Sequence, residues 1–172
     1  ADSLQGGRRE CARCPLLVRP TPPCLAMDVI EIAIQASKWT TDPHPVWVVN
    51  GEPFDRSLAA LTKNSMLEGL VAAEWGLDDP TDGDAADLMR AHRACLDAQG
   101  RVPLLICPDC CDLSCSVVFA EVAPDAGEVT WQKIGQQLSD GSVAWFPGIS
   151  RYVFAREQYS ACLAALSAHV GG

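Results

Sequence analysis

Ile30, Ile32, Ile34 and Ala36 alternate with Glu31, Ala33 and Gln35, the period of two that predicts a strand with one buried face. A second strand, PVWVVNG, follows the turn-like TTDPHP and ends at Asn50-Gly51, a strong turn dipeptide. From Ser57 to Trp75 the pattern changes to Leu, Ala, Met and Glu, which predicts one helix or two short ones. GLDDPTDGD interrupts it, and GDAADLMRAHRACLDAQG resumes a helical pattern with an Asp cap and Gly100 as its stop.

Strands are then expected at about residues 102–107 and 116–123, either side of a run of cysteines. APDAGEV reads as a hairpin turn, EVTWQKI as the returning strand and RYVFA as one more. The last helix, REQYSACLAALSAH, places Tyr159, Cys162, Leu163, Leu166 and Val170 on one apolar face. Together these elements predict an α+β fold with a largely antiparallel sheet and helices packed on one side. Residues 27–172 are expected to form a single domain. Residues 1–26 are a Pro/Cys-rich N-terminal arm, because the prolines after Cys14 in CPLLVRPTPPC exclude a regular helix.

Composition narrows the functional classes. At 172 residues and 48% hydrophobic, the chain is long enough to bury a core without covalent help. Thirteen Lys and Arg against 22 Asp and Glu give a net charge of -9, which repels phosphate backbones and anionic lipid and makes nucleic acid an unexpected partner. No stretch approaches the roughly 18 apolar residues of a membrane span. No Walker loop, G-x-G-x-x-G, H-E-x-x-H or G-x-S-x-G occurs. Nine cysteines, an odd number and clustered, differ from the even, dispersed set of a secreted disulfide framework; a reducing cytoplasm is the expected compartment.

The densest chemistry is RVPLLICPDCCDLSCSVVFAEV, residues 101–122, with four cysteines in nine positions. Cys107 and Cys110 are spaced so that both sulfurs curl toward one point, and Cys115 reaches it from the start of the next strand. Three thiolates then supply three of the four tetrahedral positions of Zn2+. Adjacent Cys111 is a poor fourth ligand, since neighbouring side chains point apart. Cys95 or His92 on the preceding helix, or Cys11 or Cys14 of the N-terminal C-x2-C, are the candidates for that place. The competing reading is thiol–disulfide chemistry at Cys107 and Cys110, but it calls for a helix after the motif, where β-branched residues predict a strand. Trp131 and Trp145 read as sheet packing, His44 as a surface loop residue, His169 as helix-end charge compensation and DDPTDGD as a solvated acidic turn.

VPLLICPDCCDLSC, VTW at 129–131 and YVFAREQY at 152–159 resemble a family of small, mostly uncharacterised bacterial proteins with the pattern VPLxxCPxCGDLGCG, then VxW, then FxFxxxQY. The resemblance implies metal-type cysteines at Cys107, Cys110 and Cys115. It implies no established activity. Cys111, Ser114 and Ser116 stand where that pattern has glycines, so a turn needing positive φ there carries a backbone cost. The expectation from sequence is a zinc-stabilised binding or regulatory module, its metal structural and its partner an unidentified protein or small ligand. A thiol–disulfide oxidoreductase and a partner-binding accessory or immunity-type protein are the alternatives.

Overall fold

The computed structural model describes residues 27–76 and 84–169. The N-terminal arm, most of the acidic turn and Val170 lie outside these residues. The architecture is α+β, built on two antiparallel sheets rather than one. The first sheet holds β1 (Ile30–Gln35), β2 (His44–Val49) and β3 (Glu52–Pro53) in that order. The second follows the order β4 (Val71–Ala72), β5 (Gly100–Ile106), β6 (Val117–Asp125), β7 (Glu128–Gln137) and β8 (Val143–Trp145), with β9 (Tyr152–Ala155) pairing the other half of β7. A parallel bridge from Asp28 to Phe154 joins the two sheets. Asp28 holds the junction with its carboxylate, which accepts from Asn50 Nδ2 and Val153 N at 2.8 Å each.

Alternation on β1 buries less than its pattern implies: Ile30 is buried, whereas Ile34 is exposed. β1 is an edge strand, so its outer groups have no neighbour to cover them. β2 is central and buried at every position, which is why its VWVV run carries no polar alternation. His44, expected in a surface loop, is instead the first residue of β2, buried and stacked on Trp75 with ring centroids 4.7 Å apart.

The helical stretch predicted from Ser57 to Trp75 is broken in three. α1 (Phe54–Thr62) stops where Lys63 takes a left-handed conformation at φ 56. A 3-10 turn (Ser65–Leu67) follows, then β4 and the single turn α2 (Ala73–Gly76). The next helix, α3 (Asp84–Ala94), ends before Gly100, which is the first residue of β5 rather than a helix stop. The final helix α4 (Arg156–His169) buries Tyr159, Cys162, Leu163 and Leu166 as its spacing requires.

The core is aromatic at its centre. Trp131 lies 4.9 Å from Phe154, 5.2 Å from Phe54 and 5.8 Å from Trp47 between ring centroids, and its Nε1 donates to the Tyr159 hydroxyl at 3.2 Å. Val129, Trp131, Phe154 and Tyr159, four positions of the VxW and FxFxxxQY patterns, are all fully buried here. Trp145, by contrast, lies near the surface of β8 under Lys133, whose Nζ is 5.6 Å from the ring. A smaller apolar cluster gathers Val71, Ile106 and Val117 with Leu88 of α3. Leu105 and Ile106, adjacent on β5 and so facing opposite ways, belong to the two different clusters.

Candidate metal centre

β5 and β6 are antiparallel neighbours whose ladder reaches its last pair at Ile106 and Val117. The cysteine loop is what joins them. Cys107 N donates to Ser116 O at 3.1 Å, continuing the ladder by one bond. Cys111 N then donates back to Cys107 O at 3.1 Å, curling the chain so that Cys107 and Cys110 meet. Asp112 organises the second half: its carboxylate accepts from Ser114 N at 2.7 Å and its carbonyl from Cys115 N at 3.2 Å. Ser114 thereby holds the exposed Asp112 carboxyl below the usual carboxylate range.

These turns bring the sulfurs of Cys107, Cys110 and Cys115 within 4.8 Å of one another. Three sulfurs on a tetrahedral ion at about 2.3 Å would stand about 3.8 Å apart. The bound on the observed set includes that spacing. Cys107 is half-buried, and Cys110 and Cys115 are exposed. Cys110 is pushed up to about 12, first by its hydrogen bond to the Cys115 sulfur, while the same bond lowers Cys115. A divalent cation would bind both sulfurs as thiolates and displace their protons.

Cys111 sits at φ 48, the left-handed region that the glycine of the resembling pattern would occupy without cost. Its sulfur donates to Pro108 O at 3.2 Å and is not among the three that converge. The described residues supply no fourth ligand. His92, one sequence candidate, is fully buried on α3: Nε2 lies 3.0 Å from Pro103 O and Nδ1 3.1 Å from a Glu74 carboxylate oxygen. Its ring is enclosed in the core and does not join the three-sulfur group. Cys95 is buried against Gly100, where an added Cβ would lie 2.6 Å from its sulfur, and does not join the three-sulfur group. Cys11 and Cys14 lie outside the described residues.

A cleft of about 180 Å3 opens beside the sulfurs, lined by Trp39, Met66, Leu70, Cys107, Pro108 and Asp109. Trp39 and Met66 are 53% and 71% exposed, large apolar side chains that a solvated loop would not favour. Trp39 is fixed by Nε1 donating to Glu68 O at 2.7 Å, its ring lying over Gly69. Two larger depressions of about 450 and 340 Å3 run along α1. They are shallower and include no cysteine, so the cleft at the sulfurs is the one joined to chemistry.

The sequence pattern missed a second polar constellation, the Glu74–His92 pair, both side chains 0% exposed. Burial pushes the Glu74 carboxyl up to about 8 and the His92 imidazole down to about 4. Nε2 faces the Pro103 carbonyl at 3.0 Å, and Nδ1 lies 3.1 Å from the carboxylate oxygen without forming a hydrogen bond to it. Pro103, without an N–H, interrupts the β5–β6 register before Leu105, and its carbonyl meets His92 at this irregularity. Pro103 inside a strand pattern was the only signal of an unusual backbone there.

Among the described residues all six cysteines are free and no helix is long and apolar enough to cross a membrane. Comparison with protein-family models, with curated proteins and with solved structures gave no match.

Proposed function

We propose that the protein is a zinc-stabilised binding or regulatory module of a reducing compartment such as the cytoplasm, with a structural metal at Cys107, Cys110 and Cys115. The convergence of those three sulfurs within 4.8 Å carries the reading. Soft thiolates select zinc over hard cations, and a strand-turn-strand unit is too short to hold three cysteines together by core packing. The resemblance to the VPLxxCPxCGDLGCG pattern supports the same ligands. The metal would tie β5 to β6 at the open end of their ladder.

Elemental analysis is expected to find about one zinc per chain, and chelation is expected to lower thermal stability. Serine at Cys107, Cys110 or Cys115 should reduce the zinc content sharply, and serine at Cys111 should leave it intact. A metal-free protein, fully stable and indifferent to chelator, would reject the proposal.

A thiol–disulfide reading at Cys107 and Cys110 draws on the closeness of their sulfurs. It lacks the usual support: the loop leads into β6, so no helix N-terminus faces the thiolate. Mild oxidation of metal-free protein, followed by peptide mapping, tests it by the presence or absence of that disulfide.

A further inference from the structure

Among the described residues the converging group holds three sulfurs and no other ligand side chain. A tetrahedral zinc takes four ligands, and Cys110 and Cys115 are exposed, so an ion here is open to solvent on their side. We infer that a small thiol bearing a cationic amine binds at this centre, its sulfur at the fourth position of the ion and its carbon chain in the adjoining cleft. The inference rests on the metal reading above and names the class of ligand; an ion that ties β5 to β6 through three cysteines can hold that ligand as well.

Strand pairing builds the cleft beside the sulfurs. Val71 lies opposite Ile106 across β4 and β5, which sets Leu70 beside Cys107 in the cleft wall. Trp39 is pinned by the bond from its Nε1 to Glu68 O, and the next residue, Gly69, is pinned in turn: its N–H donates to the buried Asp55 carboxylate at 2.8 Å. The wall is thus formed before any ligand arrives, which removes part of the ordering cost of binding. A sulfur bound at about 2.3 Å from a tetrahedral ion stands about 3.8 Å from each of the other ligand sulfurs. Cys107 is both one of those ligands and part of the cleft wall, so the carbon chain of a bound thiol starts beside the cleft.

The chemistry of the wall selects the rest of the molecule. Thiolates are soft ligands, and the ion they hold favours a fourth soft donor. Trp39, Met66, Leu70 and Pro108 offer apolar contact to a carbon chain. A volume of about 180 Å3 is well below the ~300–1,000 Å3 of pockets for larger ligands, so a chain of a few carbons fits and a nucleotide or ring cofactor does not. Lys38, over the Trp39 ring, is already paired with Glu68 at 3.3 Å. Asp109 is the carboxylate that lines the cleft itself, and on a chain of net charge -9 it attracts an ammonium and repels an acid. On binding, the S–H proton of the ligand passes to solvent and the sulfur binds as a thiolate; no bond to carbon breaks and no oxidant is consumed.

The test is titration of the Co2+-loaded full chain with aminohexanethiol, read by the sulfur-to-cobalt charge-transfer band, which grows with the number of thiolates bound, and by the cobalt retained after gel filtration. The band should rise by about a third, four thiolates for three, with cobalt retained. Aminohexanol, which lacks the sulfur, should leave the band unchanged, and mercaptohexanoate, with a carboxylate in place of the amine, should bind about tenfold more weakly. Trp39→Ala should weaken aminohexanethiol binding by about tenfold, and Asp109→Asn should narrow the gap between the amine and the acid. A parent band indifferent to the thiol, or cobalt stripped from the protein by it, overturns the ligand while leaving the metal reading in place; equal affinity for the amine and the acid overturns the assigned charge. A parent protein with no thiolate band removes both.

Discussion

Cys111 is the residue on which local strain and site geometry meet. Its φ of 48 costs an L-residue on the order of 1 kcal/mol, because Cβ crowds the following carbonyl. In that conformation its sulfur donates to Pro108 O. Cys111→Gly is therefore expected to stabilise the fold by roughly 0.5 kcal/mol, the relieved strain being partly offset by a freer unfolded chain. Urea midpoints of the two proteins decide it, and a lower midpoint for the glycine variant would mean the Cys111 side chain holds the loop. Convergence of Cys107, Cys110 and Cys115 was legible in the sequence because a hairpin this tight leaves their sulfurs few directions. The burial of His44 and His92 was not, since each depends on partners such as Trp75, Glu74 and Pro103 that spacing does not bring together.

At the level of elements, Gly69 shapes the cleft and, after α1 has already stopped at Lys63, bars helix from resuming there. It sits at φ 96, and a Cβ there would lie 2.1 Å from Trp39 Cδ1 and 2.9 Å from Lys38 Cβ. Helix cannot pass through this position, and only glycine lets Trp39 lie flat against it. Gly69→Ala should destabilise the protein by about 2 kcal/mol or more, combining left-handed strain with steric overlap. It should also expel Trp39 and raise its fluorescence quenching by iodide, a readout that a purely backbone effect would not move. The Leu-Ala-Met pattern from Ser57 to Trp75 carries helix propensity throughout, and propensity yields to a tertiary contact of this kind. β5, β6 and β7 were legible for the opposite reason: β-branched runs and the Ala126-Gly127 turn, with Gly127 at φ 84, agree with the sheet that forms.

Across the whole molecule, the buried Glu74–His92 pair links α2, α3 and β5. The unfolded chain releases the Glu74 proton near 4.5, whereas the folded protein keeps it to about 8, so this group makes stability fall as pH rises between those values. His92 takes up a proton near 6.5 when unfolded but only near 4 when folded, so it makes stability fall as pH drops from 6.5 to 4. The two slopes cancel from about 4.5 to 6.5, and a net loss remains between about 6.5 and 8. Denaturation midpoints followed across that range should decline in the native protein and stay level in Glu74→Gln. An equal decline in both would assign the loss to other groups. Tyr159, Cys95 and Cys162 are the titratable neighbours; burial raises all three, so none of them ionises in this window ahead of Glu74.

What the amino-acid order determined by itself was local: the strands of period two, the last helix with its Tyr159–Leu166 face, and the cysteine loop whose sulfurs lie within a few residues of one another. Those features are decided by interactions over one turn or one hairpin, which spacing encodes directly. The division into two sheets bridged at Asp28, the interruption at Gly69 and the enclosure of Glu74 with His92 belonged to the tertiary structure alone. Each joins groups distant along the chain, where burial and steric exclusion outweigh the preferences of any single segment.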